Sequence, residues 1–452
     1  TTWQTYTNTN INLATFAGAN VRLVFEWRND GSIGTSPAGA IDNINMLIPT
    51  CSAPTALAVN TITTTNATIS WTGITPAPAN GYQYYVSTSS TPPTSTTIPT
   101  GTTTGTSVIL NTLSPSTTYY FWVRAVCSAT DSSIWTAGGG FSTTQIPATL
   151  PYSQNFSILN DFGFINGSQT NKWVYGNAVG NTPNSIYISN DNGVTNNYTV
   201  TSLSVVQAYR DIQMPDAVDQ ISVSFDWRCL GEGSPTGTSW DYFRVWLVPT
   251  TFVPTAGTQI TAAASGGVQI GGTFVGSANY QTQNFVVQAS AYAGQIMRIV
   301  FEWRNDGGGG AQPPAAIDNI NIAVITCPSP SGLAFDGVTQ DSVNISWTGP
   351  TSVTPTYDYY YSTSPTTPTP TTDPTDNQSG TTLTLSDLSP STTYYFWVRS
   401  NCGDEDGVSF WIGPVSFTTP QIPAEMNFSD GFEGDFNWTT SNGTQTNKWF
   451  VG

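Results

Sequence analysis

The chain repeats itself with a period of 276 residues, and this period limits the possible folds more than any other feature. Residues 25–31 read FEWRNDG and so do residues 301–307, while residues 167–176 read GSQTNKWVYG and residues 443–452 read GTQTNKWFVG. Repeats at a fixed spacing indicate an array of similar modules. A chain of 452 residues has room for about three or four domains. We therefore predict tandem modules rather than one core.

The composition favours short strands joined by turns. The chain contains 41 glycines and 30 prolines, and 12% of its residues are aromatic, which suits β-sandwiches with many turns. Apolar and polar residues alternate in residues 221–227, 242–247 and 296–303, as they do in strands that bury one face. The sequence therefore predicts an all-β protein.

The charge balance argues against nucleic acid as a partner. The formal net charge is −17, and Lys172 and Lys448 are the only lysines, whereas binding to a phosphate backbone needs clustered basic residues. No run approaches the roughly 18 apolar residues that span a bilayer. We expect neither nucleic-acid binding nor membrane insertion in this segment, and we expect targeting signals to lie outside it.

A shorter module covers residues 51–144 and again residues 327–420. It contains an early Trp71, and the sequence LSPSTTY at Leu113–Tyr119 leads into an aromatic strand and returns at Leu388–Tyr394. In these features the module resembles a fibronectin type III domain, in which a tyrosine corner precedes strand F. The resemblance implies a seven-stranded sandwich for each copy.

A longer module covers residues 145–326, with partial copies at 1–50 and 421–452. The segments Tyr187–Asp191, Asp241–Phe243 and Ala316–Ile320 resemble the cleaved-adhesin or MAM-like domains of bacterial surface proteins. The resemblance implies a jelly-roll sandwich. The predicted architecture is therefore an alternation of fibronectin-III-like and jelly-roll sandwiches in tandem.

The whole chain is similar to the giant repetitive adhesins of gliding Bacteroidota that the type IX system exports. This resemblance implies a secreted structural or adhesive segment of a cell-surface filament, which contacts neighbouring repeats and a surface polysaccharide, a host surface or an abiotic surface. The alternative is an array of carbohydrate-binding modules attached to a secreted enzyme. Short links that contain proline, at residues 145–148 and 421–424, predict a semi-rigid extended rod.

The fibronectin type III resemblance also implies a pairing of four of the five cysteines. The end of strand F lies at the pole where strand A begins, so we predict disulfides Cys51–Cys127 and Cys327–Cys402. Cys229 is left over and is predicted to be a buried free thiol, with an intermolecular link as the alternative. Two disulfides indicate an oxidising, extracellular setting.

The chain is not expected to be an enzyme. It contains no histidine, so Ser-His-Asp and Cys-His catalysis and histidine-based zinc sites are excluded. A glycosidase would need two carboxylates that face a cleft, and sequence spacing does not show that arrangement.

Three acids are candidate ligands of a structural Ca²⁺ ion. Asp42 and Asp318 each begin a segment of alternating apolar residues, and Asp241 shares parity with Phe243, Val245 and Leu247 in the same way, so each carboxylate is expected to share a face with core residues. Asp241 and Asp318 are predicted to converge on one hard cation. The alternative is a carboxylate that is bonded to loop amides or to an arginine such as Arg304.

Two further surface features are recorded as hypotheses. Asp341-Ser342-Val343 resembles the O-glycan acceptor of Bacteroidota, which makes Ser342 a candidate glycosylation site, and the alternative is a plain turn before a strand. The aromatic run Tyr357–Tyr361 could stack on sugar rings, although one parity set of a strand must face the core.

Overall fold

The computed structural model describes residues 3–6, 16–29, 39–44, 46, 49–180, 183–427, 429–431, 438, 440 and 442–450. The predicted all-β class is confirmed, because strands dominate and the described helices are one short α-helix, α1 (Ala262–Ser265), and one 3₁₀ turn (Ser290–Tyr292). None of the helices in these residues has the length and apolar character needed to cross a membrane.

The first small sandwich follows the period-two pattern of its sequence. In its second strand Ala67, Ile69 and Trp71 are buried, as one face of an alternating strand must be. The seven strands are β1 (Thr55–Ile62), β2 (Ala67–Thr72), β3 (Tyr82–Ser87), β4 (Gly101–Thr103), β5 (Ser107–Leu110), β6 (Thr118–Ala125) and β7 (Thr136–Ser142). They form one sheet in the order β1-β2-β5 and a second in the order β4-β3-β6-β7.

The large sandwich contains thirteen strands within its described residues. They are β8 (Ala148–Thr149), β9 (Tyr152–Gln154), β10 (Gly163–Ile165), β11 (Lys172–Gly176), β12 (Ser185–Ser189), β13 (Ser204–Gln213), β14 (Gln220–Cys229), β15 (Glu232–Gly233), β16 (Ser239–Pro249), β17 (Val268–Phe274), β18 (Ser277–Gln288), β19 (Ile296–Asn305) and β20 (Ala316–Val324). One sheet has the order β10-β13-β19-β16-β15, with β17 on β16 and β8 on β13, and the other has the order β11-β12-β20-β14-β18, with β9 on β20.

The core of this sandwich lies between the two sheets and is rich in aromatic side chains. Phe225 of β14 packs against Phe301 of β19 with ring centroids 5.3 Å apart, and Phe243 stacks on Phe274 at 4.7 Å. The alternating segments predicted as strands all lie in β14, β16 and β19, whose apolar parity set faces this core. The two-sheet sandwich expected for this module is therefore present.

The second small sandwich repeats the first. Its strands are β21 (Ser331–Asp336), β22 (Val343–Thr348), β23 (Thr356–Ser362), β24 (Asp376–Gln378), β25 (Thr382–Leu385), β26 (Thr393–Asn401) and β27 (Ile412–Thr418). Their orders are β21-β22-β25 and β24-β23-β26-β27, which match the first sandwich strand for strand. The repeat in sequence is thus a repeat in topology.

The chain divides into two compact units. One contains most of the first small sandwich, and the other contains the large sandwich together with the second small sandwich. Contacts between those last two sandwiches therefore lie within a single compact unit.

Candidate functional site

Both predicted disulfides are present. The Sγ atoms of Cys51 and Cys127 are 2.10 Å apart, and those of Cys327 and Cys402 are 2.13 Å apart. Each bond joins the segment before the first strand of a small sandwich to the segment directly after its sixth strand. Cys229 is free and buried, as predicted, and burial together with the nearby Asp241 carboxylate raises the pKa of its thiol. A protonated, enclosed thiol of this kind is chemically inert.

The tyrosine corner expected from LSPSTTY is formed in the second small sandwich. The hydroxyl oxygen of Tyr394 accepts a hydrogen bond from the Ser389 backbone N–H at 2.9 Å, and the ring stacks on Phe417. The corner thus fixes the segment that leads into β26.

Three carboxylates gather at one end of β16 in the large sandwich. Asp241 lies in β16 opposite Glu232 of β15, and Asp306 directly follows β19, the other neighbour of β16. One carboxylate oxygen from each residue lies within 4.8 Å of the others. Three converging acidic oxygen donors are of the type that Ca²⁺ accepts, so this cluster is the candidate metal centre.

Asp241 is fully buried, with 0% of its surface exposed, and both of its carboxylate oxygens are hydrogen-bonded. Oδ2 accepts from the Tyr198 hydroxyl at 2.6 Å, and Oδ1 accepts from the Asp306 backbone N–H at 3.0 Å. Burial raises the pKa of Asp241, and the negative charges of Asp306 and Glu232 raise it further, against the effect of the two hydrogen bonds. A cation would relieve both the burial penalty and the repulsion.

The cluster also contains an unused ligand atom and a closely approaching glycine loop. Glu232 Oε2 is buried and has no hydrogen-bond partner in the described part of the chain. Gly310 lies beside the site with a φ of +127°, and a Cβ there would collide with the Tyr198 hydroxyl and the Asp241 carboxylate. Only glycine therefore fits at that position, and the loop backbone approaches the acids closely.

Asp318 does not join this cluster, and the predicted convergence of Asp241 with Asp318 is not formed. The ladder between β14 and β20 shifts register beside Asn319, which has a φ of +48°. Because of this bulge, Ile317 and Ile320 both reach the core, so Asp318 points to the outer face, opposite Asp226 of β14. The parity count that placed Asp318 with Ile320 was wrong because a bulge inserts one extra residue.

Asp42, the third predicted ligand, lies in the N-terminal segment and is exposed. Its Oδ1 accepts a hydrogen bond from the Asn43 backbone N–H at 2.7 Å, and Asp318 accepts the same bond from Asn319 at 2.7 Å. Asp42 is not part of the three-acid cluster. Asp42 and Asp318 therefore share the same local hydrogen bond, but Asp42 is exposed whereas Asp318 is buried.

Sequence reasoning did not find Glu232, Asp306 or Tyr198. The sequence could have indicated Asp306, because this residue lies in the FEWRNDG motif, which occurs in both copies of the repeat. Glu232 comes from the two-residue strand β15 and Tyr198 from an irregular segment, and only the tertiary fold brings them to Asp241. The alternative of loop-amide bonding holds for Asp241 through the Asp306 N–H, whereas Arg304 donates to the Trp240 carbonyl.

Ser342 lies in a tight turn directly before β22. Its backbone N–H donates to Thr339 Oγ1 at 3.0 Å, and the two hydroxyl oxygens are 2.6 Å apart. This geometry is that of the plain turn, and glycosylation of Ser342 stays a prediction.

The aromatic run Tyr357–Tyr361 divides between the two faces of β23. Tyr357 and Tyr359 belong to the core, while Tyr360 lies on the outer face, 5.8 Å from Trp397 between ring centroids. Tyr360, Tyr395, Trp397, Arg399 and Trp411 form what we call the outer stack of the second small sandwich. The first small sandwich has the same outer stack, formed by Tyr85, Tyr120, Trp122, Arg124 and Trp135.

Comparison with known proteins identifies the two small sandwiches. The model of the fibronectin type III domain family matches residues 52–137 and 328–412. No curated protein matches the chain.

Several solved structures are similar to the chain. A two-domain fibronectin type III segment from chicken tenascin is 12% identical, covers 81% of this chain and 100% of its own, and has a TM-score of 0.17. The fifth fibronectin domain of Drosophila Lar is 14% identical, with coverages of 20% and 94% and a TM-score of 0.15. Carbohydrate-binding modules of the β-sandwich superfamily are 12% identical, with coverages of 61% and 99% and a TM-score of 0.24.

At these identities and TM-scores the structural similarities carry no conclusion about function. The family match and the two disulfide-closed sandwiches agree on residues and topology. The chain is an all-β protein that contains two fibronectin type III domains.

Proposed function

We propose that the chain is a structural and adhesive repeat segment of a large secreted cell-surface protein, of the kind that attaches cells to surfaces or supports gliding. Two fibronectin type III domains, each closed by a disulfide, are typical of extracellular proteins. The proposed partners are a surface polysaccharide, a host surface or an abiotic surface, together with neighbouring repeats.

The repetition of the same disulfide-closed sandwich at an interval of 276 residues carries this proposal. Two copies keep the strand order, the disulfide and the outer stack, so the chain presents similar surfaces in series. Repeated presentation strengthens weak contacts with a surface through multivalency. This arrangement suits adhesion better than turnover of a soluble substrate.

Adhesion can be measured with beads that carry the full chain. We expect them to stay attached under flow to polysaccharide-coated, host-cell or bare glass surfaces, on at least one of which albumin-coated beads detach. Detachment of both bead types from all three surfaces would contradict the adhesive function.

The alternative function is an array of carbohydrate-binding modules attached to a secreted enzyme. The outer stack favours it, because Tyr360 and Trp411 are half-buried rings on the outer face of a sheet, and aromatic rings stack on sugars. On a glycan array, binding by the full chain that is lost in the paired variant Tyr85→Ala and Tyr360→Ala would support this function. The core variant Tyr359→Phe is the matched control for general damage to β23.

We also propose that the cluster of Glu232, Asp241 and Asp306 holds a structural Ca²⁺ ion. The unpaired Glu232 oxygen, the raised pKa of Asp241 and the glycine loop beside them support this proposal, which keeps Asp241 from the sequence prediction. A bound cation would tie β15, β16 and the segment after β19 together.

Calcium binding can be tested by thermal unfolding and by terbium luminescence. We expect Ca²⁺ to raise the melting temperature of the large sandwich, EDTA to reverse the rise, and Tb³⁺ to emit on excitation of the nearby Tyr198. Asp306→Asn should remove both effects, while Asp216→Asn, an exposed acid in the same sandwich, should remove neither. A melting temperature that is identical in Ca²⁺ and EDTA would eliminate the site.

We propose that the chain has no catalytic activity of its own. It lacks histidine, and the three-acid cluster is the only group of three or more potential ligand residues within the described residues. Incubation with a polysaccharide panel should release no reducing ends.

The intact mass of the native protein tests Ser342, since an O-glycan adds mass that Ser342→Ala would remove.

A further inference from the structure

The large sandwich and the second fibronectin domain meet at one buried carboxylate. Asp219, which directly precedes β14, is 8% exposed. Its Oδ2 accepts from the backbone N–H groups of Thr351 at 2.8 Å and Ser352 at 2.6 Å, and its Oδ1 accepts from Thr351 Oγ1 at 2.9 Å. One side chain of the large sandwich thus binds three donors in the loop that joins β22 to β23.

Asp219 is held firmly on its own side of this contact. Its carbonyl oxygen accepts from the Ala289 N–H at 2.7 Å, and the carbonyl of the next residue, Gln220, accepts from the Ile325 N–H at 3.0 Å. These bonds tie Asp219 to the ends of β18 and β20. Contacts within the large sandwich therefore hold Asp219 in place without help from the loop.

A second contact lies beside the first. The Gln220 side-chain carbonyl accepts from the Ser329 N–H at 3.0 Å, and the Ser329 hydroxyl donates to the Phe410 carbonyl at 3.2 Å. Ser329 follows the disulfide residue Cys327, so this contact fixes the start of the second fibronectin domain. Two adjacent residues of the large sandwich hold two separate segments of its neighbour.

The electrostatics agree with a charged, well-compensated carboxylate. Burial on its own would raise the pKa of Asp219, but the hydrogen bonds from Ser352 and Thr351 outweigh burial and lower it. Hydrogen bonds to an ionised acceptor are about twice as strong as neutral ones. If the two domains separated, the loop donors and the Asp219 carboxylate would lose these hydrogen bonds and would bond to water instead.

We propose that Asp219 is a docking residue that joins the large sandwich and the second fibronectin domain into one cooperative unit, with the Thr351–Ser352 loop as its partner. The inference goes beyond the proposed function because it concerns how domains are coupled, and it holds whether or not the chain binds a surface. In a tandem array, such a contact transmits load from one module to the next.

The first fibronectin domain provides a natural comparison for the docking loop. The 276-residue period aligns Thr351 with Thr75 and Ser352 with Pro76. Proline has no backbone N–H, so the loop of the first domain offers one donor fewer to an acid of this kind. The variant Ser352→Pro would transfer that difference into the second domain.

Amide hydrogen exchange on the full chain tests the docking residue. In Asp219→Ala and Asp219→Asn we expect the Thr351 and Ser352 amides to exchange at least about 10-fold faster, since each loses a charge-assisted bond. Asp216→Asn, an exposed acid three residues earlier, should leave both rates unchanged. Unchanged rates in both Asp219 variants would overturn the proposal.

The rotational correlation times of the two domains are a second measurement, which distinguishes loss of docking from loss of folding. We expect one rotational correlation time for the large sandwich and the second fibronectin domain in the wild type, and two different times in Asp219→Ala. The amides of β19 must stay protected, which shows that the large sandwich is still folded. If they do not, Ser352→Pro, which leaves Asp219 intact, must give the two correlation times. A single time in a folded variant would refute the coupling.

Discussion

The two fibronectin domains use the same arginine position with different partners. Arg124 lies 4.5 Å from the Trp135 ring, and Arg399 lies 4.4 Å from the Trp411 ring. Across the sheet, however, Arg124 donates to the neutral Gln83 at 2.7 Å, and Arg399 forms an ion pair with Asp358 at 2.9 Å. The geometry of the outer stack is thus maintained while its electrostatics change.

The difference shows what positions the arginine. In both domains the guanidinium also donates to a carbonyl of the loop that follows the third strand, from Arg124 to Ser95 at 3.1 Å and from Arg399 to Pro370 at 2.8 Å. The tryptophan and this carbonyl are common to both copies, so they hold the side chain in the same way in each domain. The residue across the sheet then decides how much the pair contributes to stability.

Removal of either disulfide should have the largest effect and should be the same in both domains. Cys51→Ala with Cys127→Ala opens a loop of 76 residues, and Cys327→Ala with Cys402→Ala opens one of 75. Loop-closure entropy gives a loss of about 4 kcal/mol in each case. Hydrogen exchange of β6 and β26 measures it, and clearly unequal losses would mean that the two copies differ in more than their polar pairs.

Removal of the side chain that pairs with the arginine should destabilise the two domains by different amounts. Asp358→Ala leaves Arg399, which is 6% exposed, without a counter-charge and should cost about 3 kcal/mol. Gln83→Ala removes a neutral partner and should cost about 1 kcal/mol. Global exchange rates in β26 and β6 give the two values, and equal costs would refute the distinction.

Acid should weaken the second domain through Asp358, while Gln83 gives the first domain no such dependence. Burial would raise the pKa of Asp358, but hydrogen bonds from Asn401, Asn377 and Arg399 and the charge of Arg399 outweigh burial and lower it. A depressed folded-state pKa adds stability above the unfolded value of about 3.9, which is lost as pH falls through the folded value. Denaturant titrations between pH 7 and pH 2 should show this loss in the wild type and not in Asp358→Asn.

A small effect, similar to that of Gln83→Ala, is expected at the tyrosine corner. Tyr394→Phe removes the acceptor of the Ser389 N–H and keeps the ring on Phe417, so it should cost about 1 kcal/mol. The exchange rate of the Ser389 amide reports the broken bond directly. A rate equal to that of the wild type would show that this bond does not hold the corner.

Features that depend on local sequence and on strand order were predictable. The disulfides followed once the cysteines were placed at the ends of strands A and F in a known topology, and the tyrosine corner followed from LSPSTTY. Asp241 was found because it shares strand parity with Phe243, Val245 and Leu247, which lie in the core. The disulfides and the tyrosine corner needed the resemblance to a known domain family, whereas Asp241 needed only the period of a strand and the polarity of its residues.

The rest of the candidate site was not predictable, because irregular backbone decides it. The bulge at Asn319 turns Asp318 away from the core, and no alternation of side chains announces a bulge. Glu232 and Asp306 meet Asp241 because β15 and β19 are the neighbours of β16. Strand order within a large sandwich depends on contacts between residues that are distant in sequence, and local patterns do not predict it.

The repeated FEWRNDG segment separates the two kinds of information most clearly. Trp303 lies in β19 between β13 and β16 and is 0% exposed, while Trp27, in the identical sequence, is 64% exposed, and residues 19–29 form no strand. The sequence alone determined the repeat, the all-β class, the fibronectin type III domains and their disulfides. The tertiary structure decided which segments become strands and which acids meet, because a strand needs hydrogen-bonded neighbours and a packed face that its own residues cannot supply.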